Sequence, residues 1–308
     1  MKPARARAGE AEEHLHALFE AAFRRSPSLS GPGDDVARLR AGGRWLVAHT
    51  DQVVAGVHVP PGCAPEPMAR KLLRRTLSDI AAAGAEPWAA LWTVAAPSRV
   101  GRTWMRRLAR AFLAEAQRFE VAVIGGDLSN ADCVVLTCTL LGREGRRPAP
   151  GRGGARAGDR LLVTGRLGGA VAGGKHLRAQ PRLVEGRLLA QRHRAHALMD
   201  LSDGLAADLP RLLRRSGAGA RVELAALPLQ RGLRPGRSGW MHALEDGEDY
   251  ELLAALTPAS ARRALADPGL QQAGIHEIGV VTAGRRLTWL AHGKPVRLAA
   301  QGWHHRWS

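Results

Sequence analysis

Ala197-Leu198-Met199-Asp200-Leu201-Ser202-Asp203-Gly204 opens as an apolar run, ends in carboxylates and glycine, and leads into Leu205, Leu209, Leu212 and Leu213. Ala197 to Met199 predict a short strand that delivers Asp200. The four leucines lie at helical spacing on one face. Ser202 or Asp203 stands where that helix needs an N-cap, and Gly217 is placed to end it. A strand, an acidic turn and a helix in direct succession are the signature of a mixed α/β fold.

The pattern recurs upstream. Arg44 to Ala48 predict a strand that delivers Thr50 and Asp51, and Pro67 to Ala83 a helix that carries Leu77-Ser78-Asp79 and stops at Gly84. Trp88 to Ala95 read as a strand, Thr103 to Phe119 as a helix, and Val121 to Ile124 as a strand feeding Gly125-Gly126-Asp127. Cys133 to Leu141 give a further strand. Residues 10–24 carry Leu15, Leu18, Phe19 and Phe23 at helical spacing.

Gly142 to Gly154 are rich in Gly, Pro and Arg and mark the expected boundary between two domains. The organisation expected is a domain over residues 1–142, a linker over 143–154 and a second domain over 155–308. In the second, Asp159 to Thr164, Tyr250 to Leu256, His276 to Val281 and Leu287 to Leu290 read as strands. Leu183 to Gln191 and Pro258 to Ala266 read as helices.

Six short acidic signatures punctuate the chain: Gly33-Asp34-Asp35, His49-Thr50-Asp51, Leu77-Ser78-Asp79, Gly125-Gly126-Asp127, Asp200 to Gly204 and Asp246-Gly247-Glu248-Asp249. Taken singly, each is an ordinary turn or helix cap. Convergence would change their meaning, because two carboxylates about 4 Å apart repel by roughly 4 kcal/mol at a surface-like dielectric. Divalent cations would neutralise such a group, and oxygen-only ligands favour Mg²⁺ over zinc. The signatures occur in both halves, so a site built from them lies in a cleft between domains.

At 308 residues, with 45% hydrophobic and 24% charged residues, the chain suits two soluble domains. No apolar run is long enough to span a bilayer. The N-terminus lacks the apolar core of a signal peptide, so a cytoplasmic protein is expected. Cys63, Cys133 and Cys138 lack metal spacing and read as reduced, buried small residues, with Cys133 and Cys138 on opposite faces of one strand. The formal charge of +17 comes almost wholly from dispersed Arg, and aromatics make up only 4%. That is a poor footprint for nucleic acid, whose bases need stacking platforms.

Gly169 to His176 approach a P-loop, with Gly169, Gly174 and Lys175 in place, but His176 stands where a Ser or Thr hydroxyl must hold Mg²⁺. Pro181 also stops a long helix from starting there. A plain Gly-rich connection accounts for it better. Zinc-type His spacing and a Gly-x-Ser-x-Gly elbow are both missing. What remains is Asp beside Gly, Ser and Thr, the set that phosphoryl transfer requires.

In order, GPGDDVARL, HTDQVVAGVHV, TLSDIAAAGAEP, VIGGDLSN, GARAGDRLLVTG, DLSDGLAADL and DGEDYELL resemble the thiamine-monophosphate kinase family, related to aminoimidazole ribonucleotide synthetase. The resemblance runs from Gly31 to the C-terminal GWHH. It implies ATP-dependent phosphorylation of thiamine monophosphate to thiamine diphosphate with several Mg²⁺ ions. It also implies an α/β fold of two domains, in which the N-terminal mixed sheet forms a homodimer and the interdomain cleft holds the nucleotide.

Carried over by position, the resemblance makes Asp35, Thr50, Asp51, Asp79, Asp127, Asp200 and Asp203 Mg²⁺ ligands, with His49 at the same site. Gly126, Arg152 and Ser202 would contact ATP; His58, Glu248 and Trp303 would bind the thiamine phosphate. No strong general base is needed, since a phosphate acceptor is already ionised near neutral pH. An aromatic face at Trp303 suits a cationic thiazolium.

The chain departs from the family pattern at several places. His49 replaces a small hydroxyl residue, Thr76 an Asn, Asp246 a Gly and Ala179 a Pro, and the segment between Gly174 and His176 is short. These departures keep open a catalytically impaired or repurposed nucleotide-binding member, or another ATP-using enzyme of the superfamily. Selenophosphate synthetase would want an N-terminal Cys and the hydrogenase-maturation protein a C-terminal one. Neither is present.

Overall fold

The computed structural model describes residues 18, 29–30, 33–233, 238–298 and 302–303. The helix expected over residues 10–24 therefore lies outside the described residues save Leu18, and the GWHH end is described only through Trp303.

The first half builds β1 (Leu29–Ser30), β2 (Ala37–Ala41), β3 (Arg44–Val54), α1 (Pro65–Ala82), β4 (Glu86–Ala96), α2 (Arg102–Arg118), β5 (Ala122–Asn130) and β6 (Val135–Arg143). Its strands form one mixed sheet in the order β1-β2-β3-β6-β4-β5, where only β4 and β5 pair in parallel. Helices α1 and α2 cover one face. Leu72, Leu73, Leu77 and Ile80 of α1 and Leu108 and Phe112 of α2 are fully buried there, and the Phe112 ring stacks on Trp92 at 4.3 Å between centroids.

The second half builds β7 (Arg160–Thr164), α3 (Leu183–Arg187), β8 (Ala197–Leu201), α4 (Leu205–Ser216), β9 (Gly219–Glu223), α5 (Gly239–Glu245), β10 (Glu251–Leu256), α6 (Pro258–Leu265), α7 (Pro268–Ala273), β11 (Ile275–Thr282), β12 (Leu287–Ala291) and β13 (Lys294–Val296). The sheet runs β13-β12-β9-β11-β7-β10-β8. Strands β7, β8 and β10 are buried or nearly so throughout, as helices pack on both faces.

Helix α1 ties the halves together. Its Met68, Ala69, Leu72, Leu73, Leu77 and Ile80 serve the core of the first sheet, but Ala81 and Ala82 belong to the core of the second, with Leu198, Leu252 and Ala190. The approach is close: a Cβ on Gly186 would meet the Ala81 carbonyl oxygen at 2.0 Å. Small residues at this crossing let backbones touch, and they bring the last turns of α1 up to the end of β8.

Four local expectations are corrected. The helix after Gly204 takes no cap from Ser202 or Asp203; its N-cap is Gly204, with φ of 91°. The Asp208 carboxylate instead accepts the backbone N–H groups of Ser202 and Asp203, at 3.0 and 2.9 Å. Gly125-Gly126-Asp127 is not a turn after a strand but the middle of β5, because parallel pairing with β4 continues to Asn130. Cys133 is exposed and lies before β6, Cys63 is half-buried, and only Cys138 is buried. The π-helical turn at Leu188–Arg192 interrupts the single helix expected over Leu183 to Gln191.

Candidate active site

Four of the six acidic signatures, those of Asp35, Asp51, Asp79 and Asp200, converge where α1, β3 and β8 meet. Asp35, Asp79 and Asp200 each offer a carboxylate oxygen within 4.8 Å of the others, and a His49 ring nitrogen lies equally close to carboxylate oxygens of Asp51 and Asp79. Ser78 Oγ donates to Asp200 Oδ2 at 2.7 Å. Arg152 caps one side, donating from Nε and Nη2 to Asp35 Oδ1 at 2.9 and 2.6 Å, and its backbone N–H donates to Asp34. Thus the connecting segment contributes Arg152 and the second half Asp200 to a group otherwise drawn from the first.

The electrostatics are those of a site short of positive charge. Burial, then the Asp51 and Asp35 charges, hold Asp79 well above the usual carboxylate range. Burial, then Asp79 and Asp35, do the same to Asp200. Asp35 is also raised by burial, against the opposing pull of Arg152. Buried like charges rise in this way when they lack a counter-charge, and a divalent cation among them would reverse the shift. The donor set is hard oxygen with one imidazole, and oxygen donors suit Mg²⁺.

Beside the cluster lies a cavity of about 610 Å³, bordered by His58, Arg75, Ser202, Asp203, Glu248, Tyr250 and Trp303. Two loops make its wall. Glu248 N–H donates to the Ser202 carbonyl at 2.6 Å and Tyr250 N–H to that of Leu201 at 2.9 Å, which zips Asp246–Tyr250 onto the Asp200–Gly204 turn. Glu248 and Tyr250 both adopt positive φ, 57° and 52°, a strain of roughly 1–3 kcal/mol per residue that clusters at functional sites. Gly247 is required here: a Cβ would sit 2.8 Å from the Ser202 carbonyl oxygen.

Residues 33–143 match the N-terminal domain of AIR synthase related proteins and residues 132–290 match the C-terminal domain. The thiamine-monophosphate kinase of Rhodopirellula baltica is 35% identical over 312 residues, covering 96% of this chain and 97% of its own. That of Escherichia coli K12 is 33% identical, covering 89% and 91%. The chain belongs to the thiamine-monophosphate kinase family. Among solved structures, AaThiL complexed with AMPPCP and TMP superposes with a TM-score of 0.84 at 28% identity, covering 97% of this chain and 99% of that one. HypE in complex with ATP shares the fold, at a TM-score of 0.69 and 20% identity.

The residues that the family resemblance singled out divide into three groups. Asp35, His49, Asp51, Asp79 and Asp200 form the acidic cluster, with Arg152 against it. His58, Ser202, Asp203, Glu248 and Trp303 border the cavity. Thr50, Gly126 and Asp127 lie on exposed strand positions outside both carboxylate groups; Thr50 Oγ1 bonds Thr139 Oγ1 at 2.9 Å.

The departures acquire partners. His49 Nδ1 donates to the Asp35 carbonyl at 2.6 Å, which turns Nε2 toward Asp79 at 3.2 Å. Asp246 Oδ2 accepts from Gly169 N–H at 2.9 Å and His242 Nδ1 at 2.7 Å. Thr76 bonds back to the Leu72 carbonyl within α1. Lys175 is occupied by the Arg166 carbonyl and Glu251, at 2.7 and 3.0 Å, and points to no phosphate cradle.

Sequence reading missed Lys71, Arg75 and Asp208. Lys71 Nζ, fully buried, holds both Glu248 oxygens at 2.6 and 2.7 Å and the His58 carbonyl at 2.6 Å. Arg75 Nε donates to Asp51 Oδ2 at 2.5 Å. For Lys71 and Arg75 the available signal was a basic run on the same helix as Leu77-Ser78-Asp79.

Proposed function

We propose that this chain transfers the γ-phosphoryl group of ATP to the phosphate of thiamine monophosphate, giving thiamine diphosphate and ADP. The observation that carries the reading is a buried carboxylate cluster opening beside a cavity large enough for a small-molecule substrate. Family membership and the likeness to a structure complexed with AMPPCP and TMP support it.

Asp35, Asp51, Asp79 and Asp200, with Asp127, Asp203, Thr50 and His49 in supporting positions, would hold Mg²⁺. Bound there, Mg²⁺ supplies charge neutralisation between two anionic reactants. The chain's own residues then have positioning tasks. Arg152 and Gly126 border the nucleotide side together with Ser202. His58, Glu248 and Trp303 receive the acceptor, Trp303 through its ring face and Glu248 through its charge toward the thiazolium cation. Lys71 fixes Glu248 and the His58 backbone in one geometry. Transfer breaks the bond from the γ-phosphorus to the bridging oxygen and forms one to an acceptor phosphate oxygen. That oxygen is already ionised, so no side chain must remove a proton.

The same reading divides the chain into domains at 1–142 and 155–308 around the linker 143–154, and it makes the protein a cytoplasmic homodimer. Exposed Trp88, Leu91, Ile124 and Leu128 on β4 and β5 support dimerisation through the first sheet. No described helix is long and apolar enough to cross a membrane.

The test is incubation of the purified protein with ATP, MgCl₂ and thiamine monophosphate, with chromatography for thiamine diphosphate. Mg²⁺-dependent product is expected. ATP binding without product would overturn the kinase reading in favour of a repurposed member of the family.

A further inference from the structure

Arg75 is the one Arg or Lys among the described residues that border the 610 Å³ cavity, whose other ionisable neighbours are Asp203, Asp246, Glu248, His58, His176 and Tyr250. Its Nε is committed to Asp51 in the acidic cluster. Its Nη1 is buried and has no hydrogen-bond partner among the described residues. A buried guanidinium N–H without an acceptor is costly, and an anionic oxygen is the acceptor that best satisfies it. The planar fork is also held by Asp51 at one edge, so its remaining donors have a fixed direction.

We propose that Arg75 is a phosphate-binding residue of the acceptor site, and that it selects a phosphorylated acceptor over the unphosphorylated alcohol. The inference rests on the kinase reading and adds to it a residue and a polarity. The cavity carries groups that suit a cation, the Trp303 ring and the carboxylates of Glu248, shared with Lys71, and Asp203, shared with Arg211, and an anion-compatible point at Arg75. A ligand with a cationic ring and a terminal phosphate matches both at once. Because Arg75 is bonded to Asp51, the phosphate it holds lies at the border of the carboxylate cluster, where the phosphoryl group must arrive. Thiamine itself would satisfy the cationic side and leave Nη1 without an acceptor. Discrimination follows, since a site built around a buried polar group rejects the analogue that lacks its partner.

The experiment compares wild type with Arg75→Gln and Arg75→Lys. Calorimetry measures Kd for thiamine monophosphate and for thiamine, and steady-state assays give KM for each substrate. Wild type should prefer the monophosphate. In Arg75→Gln its Kd and KM should rise about tenfold or more, the loss expected of a charge-assisted hydrogen bond. The Kd for thiamine and the KM for ATP should change less than about twofold, so the preference collapses. Arg75→Lys, which keeps charge but not the fork, should fall between and serves as the readout should the Gln variant fail to fold.

Equal weakening of monophosphate, thiamine and ATP would mean that Arg75 only orients Asp51, and would overturn the proposal. So would an unchanged preference. A wild type that makes no thiamine diphosphate would instead overturn the kinase reading beneath it.

Discussion

Ser78 Oγ on α1 donates to Asp200 Oδ2 on β8 at 2.7 Å, joining residues 122 positions apart across the two sheets. The bond matters because Asp200 is buried among Asp79 and Asp35, which, after burial itself, raise its affinity for a proton. Asp200→Asn removes one of the crowded charges and keeps the shape. Without Mg²⁺ its thermal midpoint should equal or exceed wild type, while Mg²⁺-dependent turnover should fall by more than the roughly 10–100-fold typical of an outer-shell change. A scanning calorimeter and the chromatographic assay check both. Near-normal turnover would remove Asp200 from the metal set.

Lys71 and Glu248 form a pair in which the lysine side chain is fully buried and the glutamate is 19% exposed. Replacing one partner of a buried pair costs about 3–5 kcal/mol; partial exposure of Glu248 reduces that to about 2–3 kcal/mol for Lys71→Met. Urea unfolding measures it. KM for thiamine monophosphate should rise in the same variant, because Glu248 and the His58 backbone lose their common anchor.

The strand, turn and helix succession around Asp200 was legible because apolar period and glycine placement are local signals. Four of the acidic residues, Asp35, Asp51, Asp79 and Asp200, each in a recognisable short pattern, do come together. The pairing of Lys71 with Glu248 was not: the two are 177 residues apart, and charges on an amphipathic helix ordinarily read as its solvent face. Asp127 was misread for a different reason. Two glycines suggest a turn, yet here a Cβ on Gly126 would meet the Trp92 carbonyl oxygen at 1.8 Å, so glycine marks close strand contact inside β5. The cap of α4 was likewise displaced, because Asp208 satisfies the turn from within the helix.

Stability should fall as pH rises through the neutral range when Mg²⁺ is absent. Burial lifts Asp208 and Asp249 from the ordinary 3.8 to about 7, and Asp35, Asp79 and Asp200 are raised as well. Between pH 4 and about 7 the folded state therefore holds more protons than the unfolded chain, and the linkage sign makes unfolding easier with increasing pH. Buried His176 and half-buried His276, shifted downward by desolvation, act oppositely near pH 6 but are fewer. Urea midpoints at pH 5, 6, 7 and 8 test the slope. Mg²⁺ should restore more stability at pH 8 than at pH 5, since its ligands must be deprotonated; an equal gain at both would contradict the carboxylate assignment.

Asp127 separates metal chemistry from folding most cleanly. Its side chain is exposed on β5, opposite Thr93 of β4, so Asp127→Asn should leave the unfolding free energy within the roughly 0.5 kcal/mol scatter of surface substitutions. It also lies outside both compact carboxylate groups. A role in metal binding therefore requires that an ion reach it together with the nucleotide rather than rest in the carboxylate cluster. The variant should then lose turnover and show a raised Mg²⁺ requirement only when ATP is present, with Mg²⁺-dependent stabilisation in the absence of ATP unchanged. Thermal shift with and without a non-hydrolysable ATP analogue distinguishes the cases. Loss of the nucleotide-free Mg²⁺ response would put Asp127 in the resident set, and unchanged turnover would exclude it from the site.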